Sequence, residues 1–292
     1  MPGKGGENIN GPSLIRVPDW VPNRLGFYYL YFAHHSGKSI RLAYSDKLEG
    51  PWKIYKGGVL QLDQVPSCKG HIASPDVHVD ESRKEIRLYF HGPAKEGGGQ
   101  KSFLALSPDG LKFKPLAESL GISYFRVFQW RNTWWAMAKG GLLYRSKDGM
   151  TGFEEGPNPL GAIVQSMAKN KETHPRHVAL KIIGDSMWVF YTNIGDSPER
   201  IFRSEIRMND DWKSWKASAP EEILRPETEW EGAKLPLTVS KAGAAQEPEN
   251  ALRDPCVFSD NDERDYLLYS VAGEMGIAIA EILPNGSPKR KP

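Results

Sequence analysis

Long apolar runs are missing from this chain. No stretch approaches the roughly 18 consecutive apolar residues that a membrane-spanning helix needs, so a helical membrane protein is excluded. The first residues, MPGKGGENINGPS, lack the apolar segment of a secretory signal. The expectation is a soluble protein without a membrane partner, either cytoplasmic or secreted with its signal removed. Excess charge of one sign is missing too. Lys and Arg number 38 against 36 Asp and Glu, a formal net charge of +2, and the basic residues are scattered, which argues against nucleic acid as a partner. Only residues 287–292, SPKRKP, form a basic cluster. Cysteine is nearly absent: Cys68 and Cys256 exclude a disulfide framework, and two ordinary thiols are expected. No segment holds a long 3.6-residue period, which removes helical architectures.

What is present is aromatic residues and turn formers. The chain of 292 residues carries 9 Trp, 11 Tyr and 11 Phe with 29 Gly and 22 Pro, a mixture that suits strands separated by tight turns. Five segments share one grammar of an apolar strand, a polar turn, an aromatic-rich strand and a third strand ending in a turn. The second of them, for example, runs PDVHVD, EIRLYFHG, KSFLALSPDG and LKFKPL. Repeated four-stranded units of about 45–60 residues are blades of a β-propeller. The fold class expected is therefore all-β, a single-domain five-bladed propeller over residues 1–292. Its blades fall near 9–60, 71–117, 121–157, 174–220 and 249–283. In the fourth unit WKSWKAS supplies the outer strand. The last unit shows only three strands, so ring closure with a strand borrowed from the N-terminus is expected. A two-sheet sandwich is the alternative, but it leaves the repeated motif order unexplained. The turns Ser107-Pro-Asp-Gly and Ser146-Lys-Asp-Gly read as turn formers at third-strand ends.

Propeller geometry turns this order into a map. The start of each first strand and the end of each second strand open on one face of the channel. First-strand starts supply Asn10, Gly11, His71, Ser74, Asp76, His174, Arg176, His177, Arg253 and Asp254; second-strand ends supply His34, His35, His91, Lys139, Asn193 and Glu274. Six of the 7 histidines thus share a face, with His71, Asp76 and His91 expected together and His78 deeper in the channel. A polar residue at a strand end is as often a turn cap as a functional group. Convergence from four or five blades is harder to assign to turn chemistry.

The Asp beside Pro at a first strand, followed by a YYLYF-like second strand, resembles the five-bladed propeller glycoside hydrolases of the family 43, 32 and 117 type. GPSLIRV…FYYLYFAHH, SPDVHVD…IRLYFHG and LRDPCVFSD…YLLYS carry the likeness. The resemblance implies a general-base Asp just before the first-blade Pro; this chain has Gly11 there. It also implies an Asp that tunes the acid, which falls on Asp76, and a catalytic Glu from a later blade, where this chain has His174-Pro-Arg-His.

Glycoside hydrolysis needs two carboxyl groups flanking the bond. The catalytic candidates are Asp76, Asp254 and Glu274. His34, His35, His71, His91, Arg176, His177 and Arg253 are candidates for binding a carbohydrate, neutral or acidic. The function expected is a glycoside hydrolase acting on a plant or algal oligo- or polysaccharide. Two alternatives stay open: a polysaccharide lyase with a His or metal-assisted base, and a non-catalytic carbohydrate-binding propeller. No cofactor is required. A divalent cation in the central channel is an option, with His35, His71, His91 and His177 as ligands, although no short-spaced metal motif supports it.

Overall fold

The computed structural model describes residues 8–161 and 174–290. Its strands form five separate antiparallel sheets, one per repeat. Blade 1 contains β1 (Asn10–Arg16), β2 (Tyr28–Ala33), β3 (Ser39–Ser45) and β4 (Lys53–Gln61). Blade 2 contains β5 (Ala73–Asp80), β6 (Glu85–Pro93), β7 (Gln100–Ser107) and β8 (Lys114–Pro115), with β9 (Gly121–Ile122) also on β7. Blade 3 contains β10 (Arg126–Trp130), β11 (Thr133–Met137), β12 (Leu143–Ser146) and β13 (Glu154–Glu155). Blade 4 contains β14 (His174–Ile183), β15 (Ser186–Ile194), β16 (Ile201–Arg207) and β17 (Glu221–Leu224). Blade 5 contains β18 (Arg253–Ser259), β19 (Asp265–Val271), β20 (Gly276–Ile282) and β21 (Pro288–Arg290).

Burial follows radius. Every residue of β2 is buried, because both faces of an inner strand are covered by neighbouring blades, whereas β13 is exposed. That is why the inner strands read as continuous apolar runs rather than alternating ones. Between blades 3 and 4 the seam is tryptophan: Trp130, Trp135, Trp212 and Trp215 lie with successive ring centroids 4.9–6.1 Å apart. The two Ser-x-Asp-Gly turns act as expected. Asp109 accepts the N–H groups of Leu111 and Lys112, and Asp148 those of Met150 and Thr151. They also stitch blades: Tyr31 donates its hydroxyl to Gly110 O and Tyr89 to Gly149 O, each across one seam.

Two expectations about outer strands are corrected. WKSWKAS does not form a strand; Trp212–Ser214 is a 3₁₀ turn, and β17 follows it. The spacing explains this, since a 3₁₀ turn eclipses residues three apart and so sends both Trp212 and Trp215 into the core. The fifth blade is completed from the C-terminal side by β21, which pairs with β20. The N-terminal segment contributes one parallel bridge, Ile9 to Met275, with Ile9 N–H on Glu274 O.

The feature that shapes the channel mouth is a repeated bulge. Register breaks at Asn10/Ser13, Ala73/Asp76, Pro175/Val178 and Arg253/Cys256. In blade 3 the bond from Lys139 N–H to Ser123 O puts Tyr124 in the corresponding slot. Within the slot the backbone is left-handed at Gly11, Ser74, Tyr124 and Asp254, with φ between 47° and 67°. Bulges of this kind re-aim side chains beside functional sites.

Candidate active site

Just past each bulge, the first strands carry Ser13, Asp76, Arg126, Val178 and Cys256 at corresponding positions. This layer ties first strands together. Ser13 Oγ accepts Val77 N–H at 2.8 Å, and Asp76 Oδ2 accepts Val127 N–H at 2.7 Å. Arg126 donates to Val178 O at 3.1 Å and to Pro75 O at 2.9 Å. Asp76 is thus the counterpart of Ser13. It also lies 2.8 Å from His78 Nε2 and 3.9 Å from Arg126 Nη1. Burial alone raises its pKa, but His78, Arg126 and the Val127 N–H reverse that, holding it below the ordinary carboxylate range. Here the expected grouping changes: His78 rather than His71 or His91 contacts Asp76. The bulge shifts Asp76 down one layer, onto the side it shares with the residue two along.

Above that layer lies a chain of rings. His71 and His91 have centroids 6.1 Å apart in an edge arrangement. Tyr124 lies between His91 and His177, with centroids 4.1 Å from each. His177 Nδ1 is in close contact with Asp254 Oδ1, and Ser270 Oγ donates to Asp254 Oδ2 at 3.2 Å. Burial, aided by the Arg176 and Arg126 charges, pushes His177 well below the usual histidine range. Its Nδ1 faces the Asp254 carboxylate. Its Nε2, like His91 Nδ1, is buried without a hydrogen-bond partner. His91 is pushed down for the same reason, burial first, then His71, His35, Arg126 and Lys139. Burial raises the Tyr124 phenol to about 12.

Glu274 closes the ring of groups from blade 5. It takes bonds from Asn8 Nδ2 and from Asn10 Nδ2 at 3.2 Å, with His35 Nδ1 at 3.4 Å and Arg253 Nη1 at 3.5 Å. Burial raises its pKa, yet His35, Arg253 and Asn8 outweigh burial and leave it lowered. Arg253 is shared among Glu199, Glu249 and Glu274. Glu199, absent from the sequence-based candidates, is fully buried. It lies 2.9 Å from Arg176 Nε and 2.8 Å from Arg253 Nε, and accepts from Thr192 and Ser240.

The structure therefore brings together His35, His71, His91, Arg176, His177, Arg253, Asp254 and Glu274. It sets Asp76 one layer lower and leaves His34 in a local turn, where its Nδ1 accepts Ser36 N–H at 3.1 Å. Among the described residues no group of three or more His, Cys, Asp or Glu is arranged to hold a metal.

Five antiparallel sheets, four of four strands and one of five, with polar residues gathered at one end define a five-bladed β-propeller, and solved structures agree. A thermostable family-43 glycoside hydrolase superposes with a TM-score of 0.67 at 16% identity, covering 98% of this chain and 93% of that one. The Cellvibrio cellulosa α-L-arabinanase gives 0.64 at 12%, covering 97% and 95%. An endo-1,4-β-xylanase from Bacteroides thetaiotaomicron gives 0.66 at 13%, covering 98% and 94%. At such identities the likeness is one of fold. No family model matches the chain. An uncharacterized protein of Acanthamoeba polyphaga mimivirus is 39% identical over 298 residues, spanning 94% of this chain and 83% of its own length. The chain belongs to the family of that mimivirus protein. No helix among the described residues is long and apolar enough to cross a membrane.

Proposed function

We propose that this propeller is a glycoside hydrolase that cleaves a glycan at the channel mouth. The observation that carries the reading is the pair Asp254–His177: a buried carboxylate against a buried imidazole that is held well below the usual histidine range and whose Nε2 has no hydrogen-bond partner. In this assignment Asp254 fixes the tautomer, and His177 Nε2 takes the proton of the attacking water. As the water oxygen bonds to the anomeric carbon, the glycosidic C–O bond breaks. Tyr124, protonated at neutral pH and in contact with His177, gives its proton to the departing oxygen. Glu274, held ionised by its neighbours, stabilises the positive charge that develops on the sugar ring. Asp254 occupies in blade 5 the same pre-proline slot that Gly11 occupies in blade 1, which supplies a carboxylate at the mouth despite Gly11. The likeness of fold to the hydrolases named above supports the substrate class.

A lyase is the second reading. It is favoured by one fact: both Glu274 and Asp76 are held ionised, so neither is poised as a carboxylic acid, while a His–Tyr pair suits proton abstraction beside a uronate carboxylate. The charge balance opposes it. Around the mouth and the layer below, the Arg126, Arg176 and Arg253 guanidiniums face the carboxylates of Asp76, Glu199, Glu249 and Glu274, and His177 contacts the fifth carboxylate, Asp254. These three guanidiniums are thus outnumbered by the five carboxylates. Incubation with a panel of neutral and uronate-containing polysaccharides separates the readings. New reducing ends without unsaturated sugars support hydrolysis, unsaturated products support the lyase, and binding without turnover supports a binding module.

A further inference from the structure

Of the groups assigned to catalysis, Tyr124 is half-buried, while the other three are almost closed off from solvent. Asp254 and Glu274 are each 1% exposed and His177 5%, so a glycan reaches them only when part of the wall moves. One segment outside the sheets that reaches these groups is residues 240–245, in the connection between β17 and β18. Ser240 is anchored to blade 4: its N–H donates to Asp196 O at 2.8 Å and its carbonyl accepts Gly195 N–H at 3.0 Å. Ala245 reaches the opposite anchorage, where its carbonyl accepts Asn8 Nδ2 at 3.4 Å, and Asn8 in turn donates to Glu274. The segment therefore spans from blade 4 to the seam between blades 5 and 1.

One guanidinium does most of the holding. Arg176 donates through Nη1 to Gly243 O at 3.1 Å and through Nη2 to Ser240 Oγ at 3.2 Å and to Lys241 O. Its Nε faces Glu199, which also accepts from Ser240 Oγ. Only Ser240 and Ala245 of the segment are buried; residues 241–243 are exposed. Lifting it therefore exposes little apolar surface and breaks a handful of polar contacts, the profile of a locally opening unit.

We propose that residues 240–245 form a strap that closes the channel mouth, that Arg176 is its latch, and that the strap lifts to admit the ligand. On lifting, Arg176 keeps Glu199 as its charge partner and so is not left as an unpaired buried ion. Its Nη donors lose the strap and turn to hydroxyl groups of whatever enters. The inference rests on the glycan reading only for the identity of that ligand.

The test needs no glycan. Trypsin cleavage after Lys241 is timed against cleavage after Lys147, an exposed turn residue of blade 3, and diethyl pyrocarbonate modification of His177 is followed by mass spectrometry. Ser240→Ala and Arg176→Gln should each raise the Lys241-to-Lys147 cleavage ratio at least tenfold and speed His177 modification to a similar degree. Should Arg176→Gln unfold the protein, both sites open together, and Ser240→Ala decides the matter. A ratio unchanged in Ser240→Ala, or a wild-type His177 that reacts as fast as His34, overturns the strap. That failure leaves the hydrolase reading intact, and inactivity on every glycan leaves the strap intact.

Discussion

Glu199→Ala is the most informative perturbation of the buried charge network. The carboxylate is completely enclosed and serves Arg176, Arg253, Thr192 and Ser240. Removing one partner of a buried ion pair costs about 3–5 kcal/mol, because the other charge is left uncompensated. Here two guanidiniums lose a partner, but Arg253 keeps Glu249 and Glu274, and Arg176 keeps the strap carbonyls. The lower end, about 3 kcal/mol, is therefore expected. For 292 residues, an unfolding entropy of about 2.1 cal/mol/K per residue gives about 0.6 kcal/mol/K, so Tm should fall by about 5 °C. Thermal and denaturant unfolding followed by circular dichroism measure this. A loss below about 1 kcal/mol, the worth of an exposed pair, would refute the view that Glu199 is the charge on which both arginines depend.

Acidification should destabilise the fold through His91. Its folded pKa lies well below the unfolded value, so between the two the unfolded chain binds more protons, and stability falls as pH drops below about 6.5. The slope approaches about 1.4 kcal/mol per pH unit for this group, and His91→Gln should flatten the wild-type curve between about pH 6.5 and 5; parallel curves would contradict the assignment. Asp76→Asn should cost about 1–3 kcal/mol, because the carboxylate serves Val127 N–H, His78 and Arg126, and its turnover should follow the folded fraction. A loss of turnover in fully folded Asp76→Asn would instead place Asp76 in the chemistry.

Much of this architecture is legible in the residues. Inner strands buried on both faces leave continuous apolar runs, so the five repeats stand out, and strand ends can be mapped to one face. The outer strands are less legible because they are short and exposed: β13 is Glu154–Glu155 and β21 is Pro288–Arg290. Trp212 and Trp215 suggest a strand by composition, while their three-residue spacing is the signal of the 3₁₀ turn. Tyr124 escaped the map because its blade carries Tyr-Phe where blades 1, 2 and 5 place a residue before proline, although the bulge slot is shared. Glu199 gave no signal at all. It lies in the run between β15 and β16, away from the strand ends that the map uses, and only its burial between two arginines reveals it.

The central claim is that Asp254 orients His177 for chemistry at the mouth. Comparing turnover of the wild type and Asp254→Asn, on whichever glycan of the panel the wild type cleaves, tests it most directly, with glycan binding and Tm measured alongside. The account predicts a fall in kcat of at least about a hundredfold, the scale of a lost general base, with binding retained and the fold intact. Asp254→Asn turning over at the wild-type rate would contradict it.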